Sequence, residues 1–537
     1  MSTRISRRSA LEVLRTTAKD DPDRTIMTFL DEEISHTYGS FLTEVLRFAA
    51  AFRHLGIVEG APVATMVPTS SDGYFAWLGL AWLRGVEIPV NLDYRGEMLA
   101  HILTSSGSTI VVCRSVYLDR LREVADRVPL LETVVLLDAE QSPEPVPWRV
   151  ISRAEFLGDH QPAVDIEPPD AAEIASVVYT SGTTGPSKGV MVTWRLLNSM
   201  LVFPEDVRDD DFVLYSPWPL FHLTGKMTFT DAVMRNGSAV VRSRWSTERF
   251  WPDVREGGVT CALLLAGLSY FLWNSPTRSD DAENPLRHVQ MAPTIPEYQQ
   301  FEARFDLEVS GGYASSEAGM VTRQPYPKPD HRTIGRPNPE FEVKLVDAEG
   351  REVGVDQPGE ALIRTTERDI MSRGYWRMPE ATDTAWKDGW FHSGDGLRRD
   401  ADGQFYFVDR VKDSIRRRGE NVSSVELEAI VDGHPFVAES AAIAIPDTEV
   451  DDDIMIVVVR AEDGELTAEE LWGFLDLRAP RFMVPRFVRF VEELPRTVTG
   501  RVRKVALRDE GVVGDVHERS RRAGSAADRE TTGQEIS

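Results

Sequence analysis

The sequence predicts an α/β protein: a large N-terminal domain of βαβ subdomains with a small β subdomain, followed by a small C-terminal α+β domain. Three observations carry this. From about residue 8 to 166, helical patterns such as LEVLRTTA and FLTEVLRFAAAFRHLG alternate with short apolar runs such as VATMV and TIVVCR. That is the rhythm of parallel strands joined by crossover helices. Residues 336–364, RPNPEFEVKLVDAEGREVGVDQPGEALIR, show β-branched alternation broken by turn residues, which predicts a small antiparallel sheet. A second α/β pattern runs over residues 411–508. The length of 537 residues also exceeds what one ordinary core holds.

Each element follows from its local text. The longest apolar run, YFAWLGLAWL at residues 74–83, stops at Arg84 and is about half of what a bilayer requires, so it reads as a buried helix. The Pro- and acid-rich passage over residues 141–170 reads as a surface connection. ASVVYT, residues 175–180, reads as a buried strand. The polar residues 511–537 read as a disordered tail, which sets expected domain limits of 1–410 and 411–510. The basic N-terminus has no apolar stretch of the signal-peptide kind, so a cytoplasmic location is expected.

Composition excludes several classes. Hydrophobic content of 42% and charged content of 27% are those of a globular protein. A net charge of −26 argues against nucleic-acid binding, which needs clustered Lys and Arg. An anionic ligand must then be held by local cations, backbone N–H groups or a metal ion. Cys113 and Cys261 are too far apart in sequence to read as a disulfide framework or zinc motif, and read as packing residues.

The stretch YTSGTTGPSK, residues 179–188, has the parts of a phosphate loop. Small residues let backbone N–H groups approach an anion, hydroxyls donate, and a cation neutralises charge. Thr180, Ser181, Thr183 and Thr184 supply hydroxyls, Gly182 and Gly185 backbone freedom, and Lys188 charge. Pro186 and Ser187 separate the last glycine from the lysine, so a Walker A loop is excluded.

YTSGTTGPSKGV resembles the phosphate loop of the adenylate-forming superfamily, which includes acyl-CoA synthetases, luciferases and the adenylation domains of peptide synthetases. Further motifs recur in the family's order from about residue 9 to 508. The text HVQMAPTIPEYQQFEARF is most similar to carnitine- and crotonobetaine-CoA-ligase-like members. The resemblance implies that ATP and an acid give an acyl-adenylate and pyrophosphate, with Mg²⁺ as cofactor, and that an acceptor such as coenzyme A then displaces AMP. It assigns Gly312 and Tyr313 of GYASSE to the adenine site, Ser316 to the α-phosphate and Glu317 to the metal. It assigns Asp395 of WFHSGD to the ribose and Arg410 to ribose or phosphates. Lys412 is the implied hinge of a mobile C-terminal domain. In SPWPLFHLTG, His222 is placed near the substrate carboxylate, with Trp218 and Phe221 as pocket wall.

In GYASSE, Ala314 and Ser316 replace the commoner Gly and Thr of the family's YGxTE, and a catalytic position departs as well. Where PKTxTGK ends in a catalytic lysine, this chain reads PRTVTGRVRK and places Arg501. The chain holds 8 lysines against 52 arginines, so Arg501 keeps the charge but not the compact shape of lysine. Lys504 is the alternative cation. The substitution also leaves open an acceptor other than CoA, as in amide-forming enzymes or the diazotases of bacterial secondary metabolism, which adenylate nitrite and pass it to an aryl amine. A nucleotide-binding protein without catalysis is the reading from a different class.

Overall fold

The computed structural model describes residues 5–139, 146–180, 187–200, 212–324, 330, 332–347, 349–410, 414–417, 420–446, 452–461, 465–495, 502 and 504–519. The chain divides into two units, the larger of Met1–Gly182 with Pro186–Lys412 and the smaller chiefly of Asp413–Ser537. The mixed α/β architecture expected from the sequence is present.

Three sheets build the larger unit. The first has five parallel strands between Pro62–Met66 and Arg149–Ser152, joined by helices such as Ser71–Trp82 and Gly96–Ser106. VATM and IVVC fall in this sheet, as their apolar runs predict. The second sheet has seven strands, most of them from residues 213–310, and pairs Thr25–Phe29 in parallel with Ser238–Val241. The N-terminal hairpin therefore belongs to a sheet built some 200 residues downstream, and a local reading cannot assign it. The third sheet has eight strands, is antiparallel, and takes in Phe341–Val346 and Gly359–Thr365.

Helix Ser71–Trp82 is buried at every residue but the partly exposed Asp72, so it lacks the polar face of a surface helix. Trp77 stacks on Trp194 with ring centroids 5.7 Å apart. Both cysteines are buried and free. Burial pushes the thiols up, that of Cys261 to about 12, which keeps them unreactive.

The described part of the passage, residues 146–170, is more ordered than a plain connection. It includes strand Arg149–Ser152 and helix Arg153–Leu157, capped by Ser152 Oγ accepting from the Glu155 N–H. Proline and acid density hid this short strand, whose Val150 and Ile151 pair with Val134 and Val135.

The smaller unit carries the hairpin Ser414–Arg417/Glu420–Ser423 and a four-stranded sheet of mixed direction. Helices Ser424–Asp432, Ala468–Asp476 and Lys504–Glu510 accompany the sheet. Its last strand, Val516–Glu518, lies within the stretch expected as tail. Arg486 ties it down through Glu518 at 2.5 Å. Residues 520–537 lie outside the described residues. Among the described residues no helix is long and apolar enough to cross a membrane.

Candidate active site

Strands Ile174–Thr180 and Lys188–Thr193 pair antiparallel, with Thr180 opposite Lys188. The two ends of the loop motif are thus paired strands, and residues Ser181, Gly182, Thr183, Thr184, Gly185 and Pro186 lie outside the described residues. The shoulders of the hairpin are held from helix Gly96–Ser106. His101 Nε2 donates to the Ser187 carbonyl at 3.0 Å, and the Tyr179 and Ser105 hydroxyls meet at 2.9 Å.

Lys188 Nζ sits over the ring of Tyr375, 4.9 Å from its centroid, where the negative π-face attracts an ammonium. The Tyr375 hydroxyl donates to Glu317 Oε1 at 3.1 Å. Burial, reinforced by the Glu317 charge, pushes the Tyr375 phenol up and keeps it a neutral donor. One tyrosine thus brings together the hairpin lysine and the acid of GYASSE, two residues that are 129 positions apart in the chain.

GYASSE is a strand end and a turn. Strand Gly312–Ser315 leads into Ser316 and Glu317, and Gly319–Arg323 returns antiparallel. Ser315 Oγ accepts from the Ala318 N–H at 3.0 Å and closes the turn. A Cβ at Gly312 would lie 2.5 Å from the Thr322 carbonyl oxygen, so only glycine fits that register. The Tyr313 hydroxyl donates to Asp395 Oδ2 at 2.6 Å, and both residues are buried. Asp395 pairs in register with Arg410 on the neighbouring strand. Tyr313, Asp395 and the Arg410 backbone therefore form one group; the Arg410 side chain, Lys412 and Arg501 lie outside the described residues.

His222 occupies the N-cap position of helix Leu223–Met234, its ring 4.7 Å from that of Phe221. Thr69 Oγ1 clamps the preceding segment: it donates to the Trp218 carbonyl and accepts from the Leu220 N–H, both at 3.1 Å. A Cβ at Gly225 would lie 2.2 Å from the Pro219 carbonyl oxygen, so glycine lets the helix start against its own entry loop.

Sequence reasoning missed a buried ion pair beneath these elements. Lys226 Nζ donates to Glu87 Oε2 at 2.5 Å, and the two side chains are 0% and 2% exposed. Glu87 also accepts from Thr65 at 3.1 Å and from Ser176 at 2.8 Å, and the ammonium lies 4.1 Å from the Trp77 ring centroid. Burial lowers the Lys226 pKa and Glu87 opposes it. The pair joins the helix after His222 to strand Val86–Pro89, and through Ser176 to the strand that ends in the phosphate hairpin. Its sequence signal was a lysine inside the otherwise uncharged start of LTGKMTFTDAVM, in a chain that mostly uses arginine. Tyr375 was missed too; the aromatic pair YW after Gly374 in RGYW was its only mark.

Residues 14–376 match the model of the AMP-binding enzyme family, and residues 426–501 match its C-terminal domain. The chain belongs to the AMP-binding enzyme family. It is an ATP-dependent, AMP-forming ligase of the adenylate-forming kind. Among relatives within the family, a crotonobetaine/carnitine–CoA ligase of Citrobacter koseri is 30% identical over 483 residues, covering 88% of this chain and 93% of the relative. An o-succinylbenzoate CoA synthetase variant of Bacillus subtilis superposes with a TM-score of 0.80 at 18% identity, over 94% of this chain and 99% of the other. An amide bond synthetase of Marinactinospora thermotolerans gives 0.78 at 22% identity, over 93% and 99%.

Proposed function

We propose that the protein is an acyl-CoA synthetase: it joins a carboxylic acid to the α-phosphate of ATP, releases pyrophosphate and passes the acyl group to the thiol of coenzyme A. The observation that carries this is the convergence of Lys188 and Glu317 on Tyr375, beside a separate group of Tyr313 and Asp395. One group suits phosphates and the other a nucleoside. The kinship with a crotonobetaine/carnitine–CoA ligase supports CoA as acceptor.

In this reading the hairpin loop and Lys188 hold the β- and γ-phosphates and stabilise the departing pyrophosphate. Asp395, oriented by the Tyr313 hydroxyl, accepts from the ribose hydroxyls, and Arg410 reaches the same sugar or the phosphates. The Tyr313 ring and Gly312 face the adenine, Ser316 bonds to the α-phosphate, and His222 stands beside the substrate carboxylate. Among the described residues no cluster of three or more His, Cys, Asp or Glu could hold a metal ion. A lone carboxylate, Glu317, still fits Mg²⁺, which completes its shell with water and phosphate oxygens. Bound there, Mg²⁺ would neutralise phosphate charge. Arg501 supplies the cation facing the α-phosphate during adenylation, and rotation about Lys412 then admits the acceptor.

The test is incubation with ATP, Mg²⁺ and a panel of acids, with and without CoA. Pyrophosphate release without CoA, and AMP release with a thioester product only when CoA is added, is the expected result. AMP release with an amine, or with nitrite plus an aryl amine, and none with CoA would replace the acceptor. Absence of pyrophosphate release from every acid would overturn adenylation itself.

A further inference from the structure

Behind Trp218 lies a cavity of ≈ 10 Å³, walled by Leu214, Met227, Thr228 and Leu263 and reached by Trp218 and Asp231. A space of that size holds about one water or one small polar group. Thr224, Met227, Thr228 and Asp231 share one face of helix Leu223–Met234, at the i, i+3, i+4, i+7 spacing of a helical stripe. Most of the wall is apolar, and Thr228 is already engaged, donating to Ser216 Oγ at 2.6 Å.

Two atoms are not satisfied. Asp231 is 1% exposed, and its Oδ1 has no hydrogen-bond partner. The buried Nε1 of Trp218 likewise has none. A buried polar atom without a partner is costly to keep, so an acceptor and a donor left open on one cavity mark a place for a ligand group. Burial pushes the Asp231 carboxyl up to about 7, against Arg235 and Arg323; either protonation state keeps an oxygen able to accept.

Resting on the adenylation reading, we propose that Asp231 and the indole N–H of Trp218 form the polar end of the acid pocket. They select a carboxylic acid that bears a hydroxyl remote from its carboxyl group. A hydroxyl satisfies both atoms, donating to Asp231 and accepting from Trp218, in the place one water would otherwise fill. An ammonium only donates and leaves the indole unpaired, and a quaternary ammonium does neither.

The test compares kcat/KM for ATP-dependent pyrophosphate release within matched pairs: para-hydroxybenzoate against benzoate, and an ω-hydroxy fatty acid against its parent. Amino and trimethylammonium analogues complete each set. The hydroxylated member is expected to be favoured at least tenfold in one series, because a site built around a hydroxyl rejects the analogue lacking it. Trp218→Phe and Asp231→Leu should each move that ratio toward one. The ratio is the readout because a folding defect lowers both rates together; Trp218→Phe serves should Asp231→Leu not fold. Equal rates within both pairs, a preference for an ammonium, or a ratio unchanged by both variants overturns the hydroxyl assignment while leaving adenylation standing. Absence of pyrophosphate release with any acid removes both.

Discussion

Tyr375 shows how much of the site hangs on single side chains. Its hydroxyl donates to Glu317 while its ring face receives Lys188, so Tyr375→Phe removes one bond and keeps the other. A hydrogen bond to a charged group contributes about 1.5–3 kcal/mol. The variant should therefore melt at a modestly lower temperature, and, with Glu317 no longer held, lose roughly tenfold in kcat/KM for pyrophosphate release, most clearly at limiting Mg²⁺. Lys188→Met removes the cation itself, and on the scale of a lost transition-state donor its kcat should fall about 10²–10³-fold. A second residue-scale effect concerns pH. The Asp231 pKa is about 7 in the folded protein against 3.8 ordinarily, so between those values the native state keeps a proton that the unfolded chain has lost. Stability contributed by the neutral carboxyl is therefore present below pH 3.8, falls as pH rises and levels off above 7. Relative to Asp231→Asn, the native protein should lose up to about 1.4 kcal/mol per pH unit, read as a growing difference in melting temperature from pH 4 to 7.

At the scale of elements, the Lys226–Glu87 pair joins a helix, two parallel-sheet strands and the phosphate-hairpin strand. Removing one partner leaves a buried charge, which costs about 3–5 kcal/mol. Lys226→Met should therefore lower the melting temperature sharply, and Lys226→Met with Glu87→Leu should cost less than the two single changes added together. A double variant as unstable as the sum would mean that the two residues act independently. This pair also marks the limit of sequence reading. The strands VATM and IVVC and the buried helix at residues 71–82 were legible because each is specified by its own apolar run. Lys226 and Glu87 are 139 positions apart, and no local pattern links them. The same holds for Thr25–Phe29, whose partner strand begins at Ser238. The motif residues Lys188, Glu317 and Asp395 were legible because their chemistry is dense in short stretches. Tyr375 and Asp231 sit in ordinary text, and only packing makes them matter.

On the scale of the whole molecule, the proposed function raises the question of which cation, Arg501 or Lys504, would serve adenylation. Lys504 begins helix Lys504–Glu510 and donates to Glu428 Oε1 at 2.5 Å and to Ser424 Oγ at 2.8 Å. Glu428 also accepts from the Ala442 N–H at 2.6 Å, and burial raises its pKa while Lys504 opposes the rise. Lys504 is thus a bolt between helix Lys504–Glu510, helix Ser424–Asp432 and the strand Val437–Ile445. A lysine so engaged would have to abandon a half-buried carboxylate to reach a nucleotide, at a cost of the order given for breaking such a pair. Arg501 holds the family's lysine position in the sequence and lies outside the described residues. Two variants separate the roles. Lys504→Met should lower the melting temperature and change the rate of pyrophosphate release less than about threefold in the folded protein. Arg501→Ala should leave melting nearly unchanged and lower that rate by about 10²-fold or more, the scale of a lost charge stabiliser, with acyl transfer from a preformed acyl-adenylate to CoA, and release of AMP, affected far less. The reverse pattern, with activity following Lys504 and stability following Arg501, would return the catalytic role to the lysine and make the arginine the structural residue.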